Sequence, residues 1–139
     1  MASNDNLIRF EVCIYKKDGV PYEEFIEWVT KAYPPQVIPL MKKHGITRWT
    51  QTVTPPHFRE PFRHALKTEM GRPEWTVPDY DIVHAYYLKS MDDLKPLMEE
   101  PKWNELEEEA QRLSNTSIGQ FVIGHETVHI GDIGDNKSA

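Results

Sequence analysis

The sequence predicts an α+β domain in which two βαβ halves build one four-stranded antiparallel sheet with helices on one of its faces. Three observations predict it. Four short segments alternate with period two or are rich in β-branched residues, two helical stretches separate them in the order β-α-β then β-α-β, and 139 residues suffice for a single core. That order is the split βαβ pattern of ferredoxin-like domains.

The first strand spans Leu7 to Tyr15, with Ile8, Phe10, Val12 and Ile14 on one side and Arg9, Glu11, Cys13 and Tyr15 on the other. After the turn residues KKDG, Pro21 suits a first helical position, Glu23 and Glu24 complement the helix dipole, and Phe25, Trp28 and Val29 recur at helical spacing. Pro34 and Pro35 interrupt this helix, a further turn carries Val37, Leu40 and Met41, and Gly45 is placed to end it. Ile46 to Val53 is the second strand, alternating Trp49, Gln51 and Val53 against Arg48, Thr50 and Thr52. The proline-rich connection from Thr54 to Pro78 reads as a functional lid or a disordered flap, with a short helix over Phe62 to Met70.

Asp79 to Leu88 is the third strand, and Ser90 with Asp93 resembles a capping box that opens the second helix. Leu94, Leu97 and Met98 form its first apolar stripe. Beyond Pro101 a second piece carries Trp103, Leu106, Ala110 and Leu113 on one face, leaving Glu105, Glu107, Glu108 and Glu109 in solvent. Ile118 to Ile130 is the fourth strand. One domain thus covers residues 7–130, between polar ends at 1–6 and 131–139 expected to be flexible.

Lysine plus arginine number 16 against 22 aspartates and glutamates, so a net charge of −6 argues against nucleic acid or an anionic membrane as partner. No apolar run approaches the ~20 residues needed to span a bilayer, the start MASNDNL has no secretory pattern, and Cys13 is the single cysteine. A soluble cytoplasmic protein is expected. Two helices cover one face of a four-stranded sheet, so the other face, with its aromatics, is expected to meet a second copy of the chain. Sheets packed in such a homodimer enclose a cavity suited to a small molecule.

The string His125-Glu126-Thr127-Val128-His129 matches the HExxH zinc signature, which needs a helix to bring its histidines together. On a β-rich segment they lie ~13 Å apart, so no metal site is expected, and His125 and His129 are left as histidines on a sheet face. In the third strand His84 shares parity with Tyr80 and Tyr86, while Val83 and Ala85 share the opposite side and read as the helix-packed face. His84, Tyr80 and Tyr86 are then expected in the cavity, where a histidine ringed by tyrosines suits general acid/base chemistry; a hydrogen-bonded core histidine is the alternative. Arg48 on the second strand offers a bidentate hold for a carboxylate or phenolate, or else a cross-strand ion pair, and its neighbour Trp49 an aromatic surface. Tyr33, at the helix break, is either at the cavity mouth or a helix-end packing residue, and His57, Phe58, Arg59, Arg63 and His64 on the connection either close over a ligand or are simply solvated. There is no glycine-rich phosphate loop, CxxC or nucleophile elbow, so cofactor-free chemistry is expected.

The segments LIRFEVCIYKKDGVPYEEFIEWV, PLMKKHGITRWTQ, VPDYDIVHAYYLKSMDDLKPLMEEPKW and FVIGHETVHI together resemble EthD-type proteins of the dimeric α/β-barrel superfamily, and more narrowly the small fungal tailoring proteins of aromatic polyketide pathways. Trp28 and Pro34 keep the spacing of the family's W-x-x-x-H-x-P arrangement, but Ala32 stands where its histidine would be, so no role transfers there. The resemblance implies a homodimer with one cavity per subunit, no cofactor or metal, and an aromatic polyketide as ligand. It also implies a lyase, foremost a decarboxylase of an aromatic polyketide acid, with His84 and His125 as acid/base residues and Tyr33, Arg48, Trp49, His57, Tyr80, Tyr86 and His129 around the substrate. The alternatives are a dehydratase or cyclase, a cofactor-free monooxygenase, or a non-catalytic small-molecule carrier.

Overall fold

The structure is a computed structural model that describes residues 7–131. Strands β1 (Ile8–Ile14), β2 (Arg48–Val53), β3 (Ile82–Leu88) and β4 (Gln120–Gly124) form one antiparallel sheet in the order β2-β3-β1-β4. Helices α1 (Tyr22–Glu27) and α2 (Pro34–Lys43) lie between the first two strands, and α4 (Leu94–Met98) and α5 (Pro101–Leu113) between the last two. Helix α3 (Pro56–Thr68) occupies the long connection between β2 and β3. This is the expected α+β, ferredoxin-like βαββαβ arrangement.

The alternating strands place Phe10, Tyr86 and Leu88 against Val37, Met41, Leu97 and Leu106 of the helices. A second cluster joins Phe25, Trp28 and Val29 to Ile82 and Leu113. Helix α2 ends where Gly45 takes a positive φ of 94°, with Ile46 N–H bonded back to the Met41 carbonyl at 2.9 Å. A side chain at that glycine would be strained by the backbone and would meet the Asp93 carboxylate at 3.1 Å.

Four expectations need correction. The helices pack on the face of His84 and Tyr86, not on that of Val83 and Ala85. Side-chain size along β3 alone misled; across all four strands the His84 face also carries Phe10, Val12 and Ile14, whereas the opposite face carries Arg9, Glu11 and Arg48, whose charges cannot lie beneath a helix layer. Strand β4 stops at Gly124 rather than reaching Ile130, and residues 125–128 run without regular structure. Strand β3 starts at Ile82 rather than Asp79, which breaks the parity that tied Tyr80 to His84. Helix α3 starts at Pro56 rather than Phe62, because a proline at the first helical position needs no N–H partner. Residues 1–6 and 132–139, expected as flexible ends, lie outside the described residues.

Helix α3 is held by its charges. Arg59 bonds the Asp79 carbonyl and the Asp81 carboxylate, and Arg63 bonds the Val77 carbonyl and Asp79. Asp81 also accepts from Lys16 N–H at 2.9 Å, so one buried carboxylate ties the flap to the end of β1. The flap arginines therefore anchor the helix, rather than facing the cavity as the sequence suggested.

Candidate active site

Between the sheet and the helices of a single subunit lies a cavity of about 250 Å³. Its floor is Phe10, Val12, Ile14, His84 and Tyr86 from the strands; its walls come from the turn after α1, from α2, from α4 and from α5. The sequence had placed the cavity between two sheets.

His84 is 5% exposed and sits at the centre of this floor. Trp49, its neighbour on β2, donates its indole Nε1–H to His84 Nδ1 at 3.1 Å, and the two rings stack at 5.7 Å. An acceptor role at Nδ1 places the proton of the neutral ring on Nε2, which has no partner among the described residues and is left to the cavity. Burial lowers the His84 pKa from 6.5 to about 4, so the ring is neutral at physiological pH. His84 is thus a hydrogen-bond donor to whatever occupies the cavity. It has no lone pair free on that side to accept a proton.

The lowered pKa carries a stability consequence. The folded state resists protonation that the unfolded chain accepts near pH 6.5, so stability is present above that pH and is lost as pH falls toward 4, by about 3 kcal/mol in all. Urea unfolding at a series of pH values should show this loss in the wild type and a shallower one in His84→Gln. Equal slopes would contradict a neutral, desolvated His84.

Around His84 the aromatic rings are in contact. Tyr86 stacks on His84 at 5.8 Å, on Trp49 at 5.7 Å and on Phe10 at 5.0 Å; Tyr33 meets Trp49 edge-on at 6.0 Å and lies 5.2 Å from Trp28. Burial pushes both phenols upward, with nearby Glu107 adding to the effect, so Tyr33 and Tyr86 keep their protons and present neutral O–H groups. Trp28 and Tyr33 flank a π-helical turn, Trp28–Ala32, closed by Tyr33 N–H to Trp28 O at 2.8 Å. The turn widens where the Pro34 ring would otherwise strike the carbonyl four residues back, and it swings Tyr33 over the cavity.

Glu107 was read as a solvated residue of an acidic run. It is exposed, as that reading has it, and it also lines the cavity from α5, where partial burial of the carboxyl raises its pKa. The signal was there to find: Trp103, Glu107, Ala110 and Ser114 follow one another at intervals of four, three and four and line the cavity together. No lysine or arginine is among the described residues that line it.

Of the nine residues the sequence singled out, the structure brings Tyr33, Tyr86 and His84 into the cavity, with Trp49 behind His84. The other five lie elsewhere. Arg48 sits on the opposite sheet face over the Tyr87 ring at 5.7 Å, because its strand neighbour Trp49 takes the helix face. Tyr80, ahead of β3, packs edge-on against Tyr15 at 6.1 Å. His57 is exposed on α3 against Phe58. His125 bonds the Leu7 carbonyl at 2.9 Å in solvent, and His129 is exposed beyond it. Glu126 between them pairs with Arg9 and accepts from Tyr87, and no cluster of metal-ligating side chains occurs among the described residues.

Set against known proteins, the chain is 27% identical over 130 residues to "Dehydratase iacD" of Pestalotiopsis fici, an alignment covering 94% of this chain and 93% of the relative. It is 25% identical over 123 residues to a "Decarboxylase" of Claviceps purpurea, covering 87% and 84% respectively. A dimeric protein of unknown function and ferredoxin-like fold from Bacteroides fragilis superposes with a TM-score of 0.55 at 15% identity, over 87% of this chain and 97% of that one. The EthD domain model matches residues 17–117, which hold all five helices and strands β2 and β3, and the chain belongs to the EthD domain family.

Proposed function

We propose that the protein is a cofactor-independent lyase acting on a small aromatic polyketide, and that the group it eliminates is water. One observation carries this reading: an apolar cavity that pairs neutral donors, His84 Nε2–H and the Tyr33 and Tyr86 hydroxyls, with a titratable carboxyl, Glu107, and has no lysine or arginine among the described residues that line it. Relatives named dehydratase and decarboxylase support the reaction class.

On a β-hydroxy ketone the elimination runs through an enolate. The Glu107 carboxylate takes the proton from the carbon between carbonyl and carbinol, and the electron pair moves onto the carbonyl oxygen. Neutral donors in a site of low dielectric hold that oxyanion. The carbonyl then re-forms, the β-hydroxyl leaves, and Glu107 returns the same proton to it as water departs. Conjugation of the new double bond with the aromatic rings favours the product.

Decarboxylation, which the sequence favoured, is the second reading. The apolar lining supports it, since a desolvated carboxylate loses carbon dioxide readily and the same donors would hold the resulting enolate. Against it stands the cost of placing a carboxylate where no lysine or arginine is among the described lining residues and Glu107 already lines the cavity. A homodimer belongs to the proposal as well: the sheet face bearing Arg9 and Arg48 lies opposite the one on which α2, α4 and α5 pack, β4 leaves Phe121, Val122 and Ile123 about half exposed, and a structural neighbour is described as dimeric.

The test is incubation of purified, chelator-treated protein with matched aromatic β-hydroxy ketones and β-keto acids, products being followed by mass spectrometry. Loss of water is the expected result. Loss of carbon dioxide alone would promote the second reading, and saturable binding without product would make the protein a carrier.

A further inference from the structure

We infer that Gln51 is a positioning residue, the latch that fixes the Trp28–Ala32 turn against His84; the inference rests on the proposed elimination for its kinetic arm and on ligand binding for the rest. The turn cannot hold itself. In a π-helical turn the Val29 carbonyl would accept from the residue five positions on, and that residue is Pro34, which has no N–H. The N–H that an α-helix would offer it, that of Tyr33, is spent on Trp28 O. Trp28 Nε1 is likewise buried without a partner among the described residues.

Gln51 supplies the missing donor. Its side-chain amide Nε2 reaches the Val29 carbonyl at 2.8 Å, a span of 22 residues in sequence. On the sheet Gln51 stands directly opposite His84, and two positions along β2 is Trp49, the residue that sets the His84 tautomer. One strand therefore positions both halves of the site, the imidazole through Trp49 and the turn bearing Trp28 and Tyr33 through Gln51. A buried carbonyl deprived of its donor moves toward another one, so loss of this amide should shift the turn and carry the Tyr33 hydroxyl away from His84.

Two variants test the inference. Gln51→Leu keeps the volume and removes the donor; Gln51→Glu donates when protonated and repels the carbonyl when ionised. Calorimetry with an unreactive hydroxyquinone and steady-state kinetics with the wild type's substrate are the readouts. Misplacement by an ångström costs about 10²-fold in reactive geometry, so Gln51→Leu is expected to lose ~10–100-fold in kcat with a smaller change in KM. Hydroxyquinone affinity is expected to fall about tenfold. Gln51→Glu, taken as its ratio to wild type at each pH, should recover on acidification as its carboxyl regains a proton. If Gln51→Leu instead matches wild type in both readouts, or if the Gln51→Glu ratio is flat with pH, the latch is overturned. Should wild type eliminate nothing while Gln51→Leu still weakens hydroxyquinone binding and Gln51→Glu binding recovers in acid, the latch stands and the lyase reading falls.

Discussion

His84→Gln is expected to keep turnover within about tenfold of wild type, whereas His84→Phe is expected to lose about 10²–10³ in kcat, the usual cost of removing one oxyanion donor. The contrast follows from the tautomer. Trp49 donates to Nδ1 at 3.1 Å, which leaves Nε2–H as the only polar group that the ring can offer the cavity. A glutamine there can accept from the Trp49 indole through its carbonyl and donate to substrate through its amide, reproducing both contacts. Phenylalanine fills the space but removes the donor and strands the indole N–H, at a cost of ~1–3 kcal/mol in stability. If His84 were the base, as a sequence reading of a histidine among tyrosines suggests, glutamine would be as inactive as phenylalanine. Steady-state kinetics on the two variants, both checked for folding by near-UV circular dichroism, decide between donor and base.

The fold was legible because period-two alternation survives in single strands and proline and glycine mark the breaks: Leu7 to Tyr15, Pro34 and Gly45 all stand where the structure uses them. The site was legible only by parity. His84 and Tyr86 share a face in any register, so they were found together, but which face meets the helices depends on the summed polarity of all strands, and β3 alone reversed it. Tyr80 was lost because parity holds only inside a strand, and β3 begins two residues later. His125 and His129 drew attention through a motif whose chemistry needs a helix, while their segment leaves the sheet at Gly124. Glu107 is exposed, as its acidic run suggests, and its helical spacing from Trp103 also brings it to the cavity, but only knowledge of the cavity makes that spacing matter. Gln51 carries no sequence signal at all, since its role depends on an amide missing from Pro34 in a different element.

Glu107→Gln is expected to lower kcat by about 10²–10⁴, the range for removal of a general base, with little change in affinity for an unreactive ligand. The pH dependence gives the sharper test. Burial raises the Glu107 pKa, so in the wild type kcat/KM should climb with pH as the carboxyl ionises, with a midpoint above the ordinary carboxylate range. Removing that carboxyl should flatten the profile. Stability moves the other way: a carboxyl whose folded pKa is raised favours the folded state at low pH, and that advantage is lost as pH rises through the folded value. At neutral pH the variant is therefore expected to unfold at the same temperature as wild type or higher. Loss of turnover joined to undiminished stability cannot come from a damaged fold, and it separates a reacting carboxyl from a structural one. A variant that keeps both its turnover and its pH profile would move the base out of this cavity, and with it the elimination proposed for Glu107.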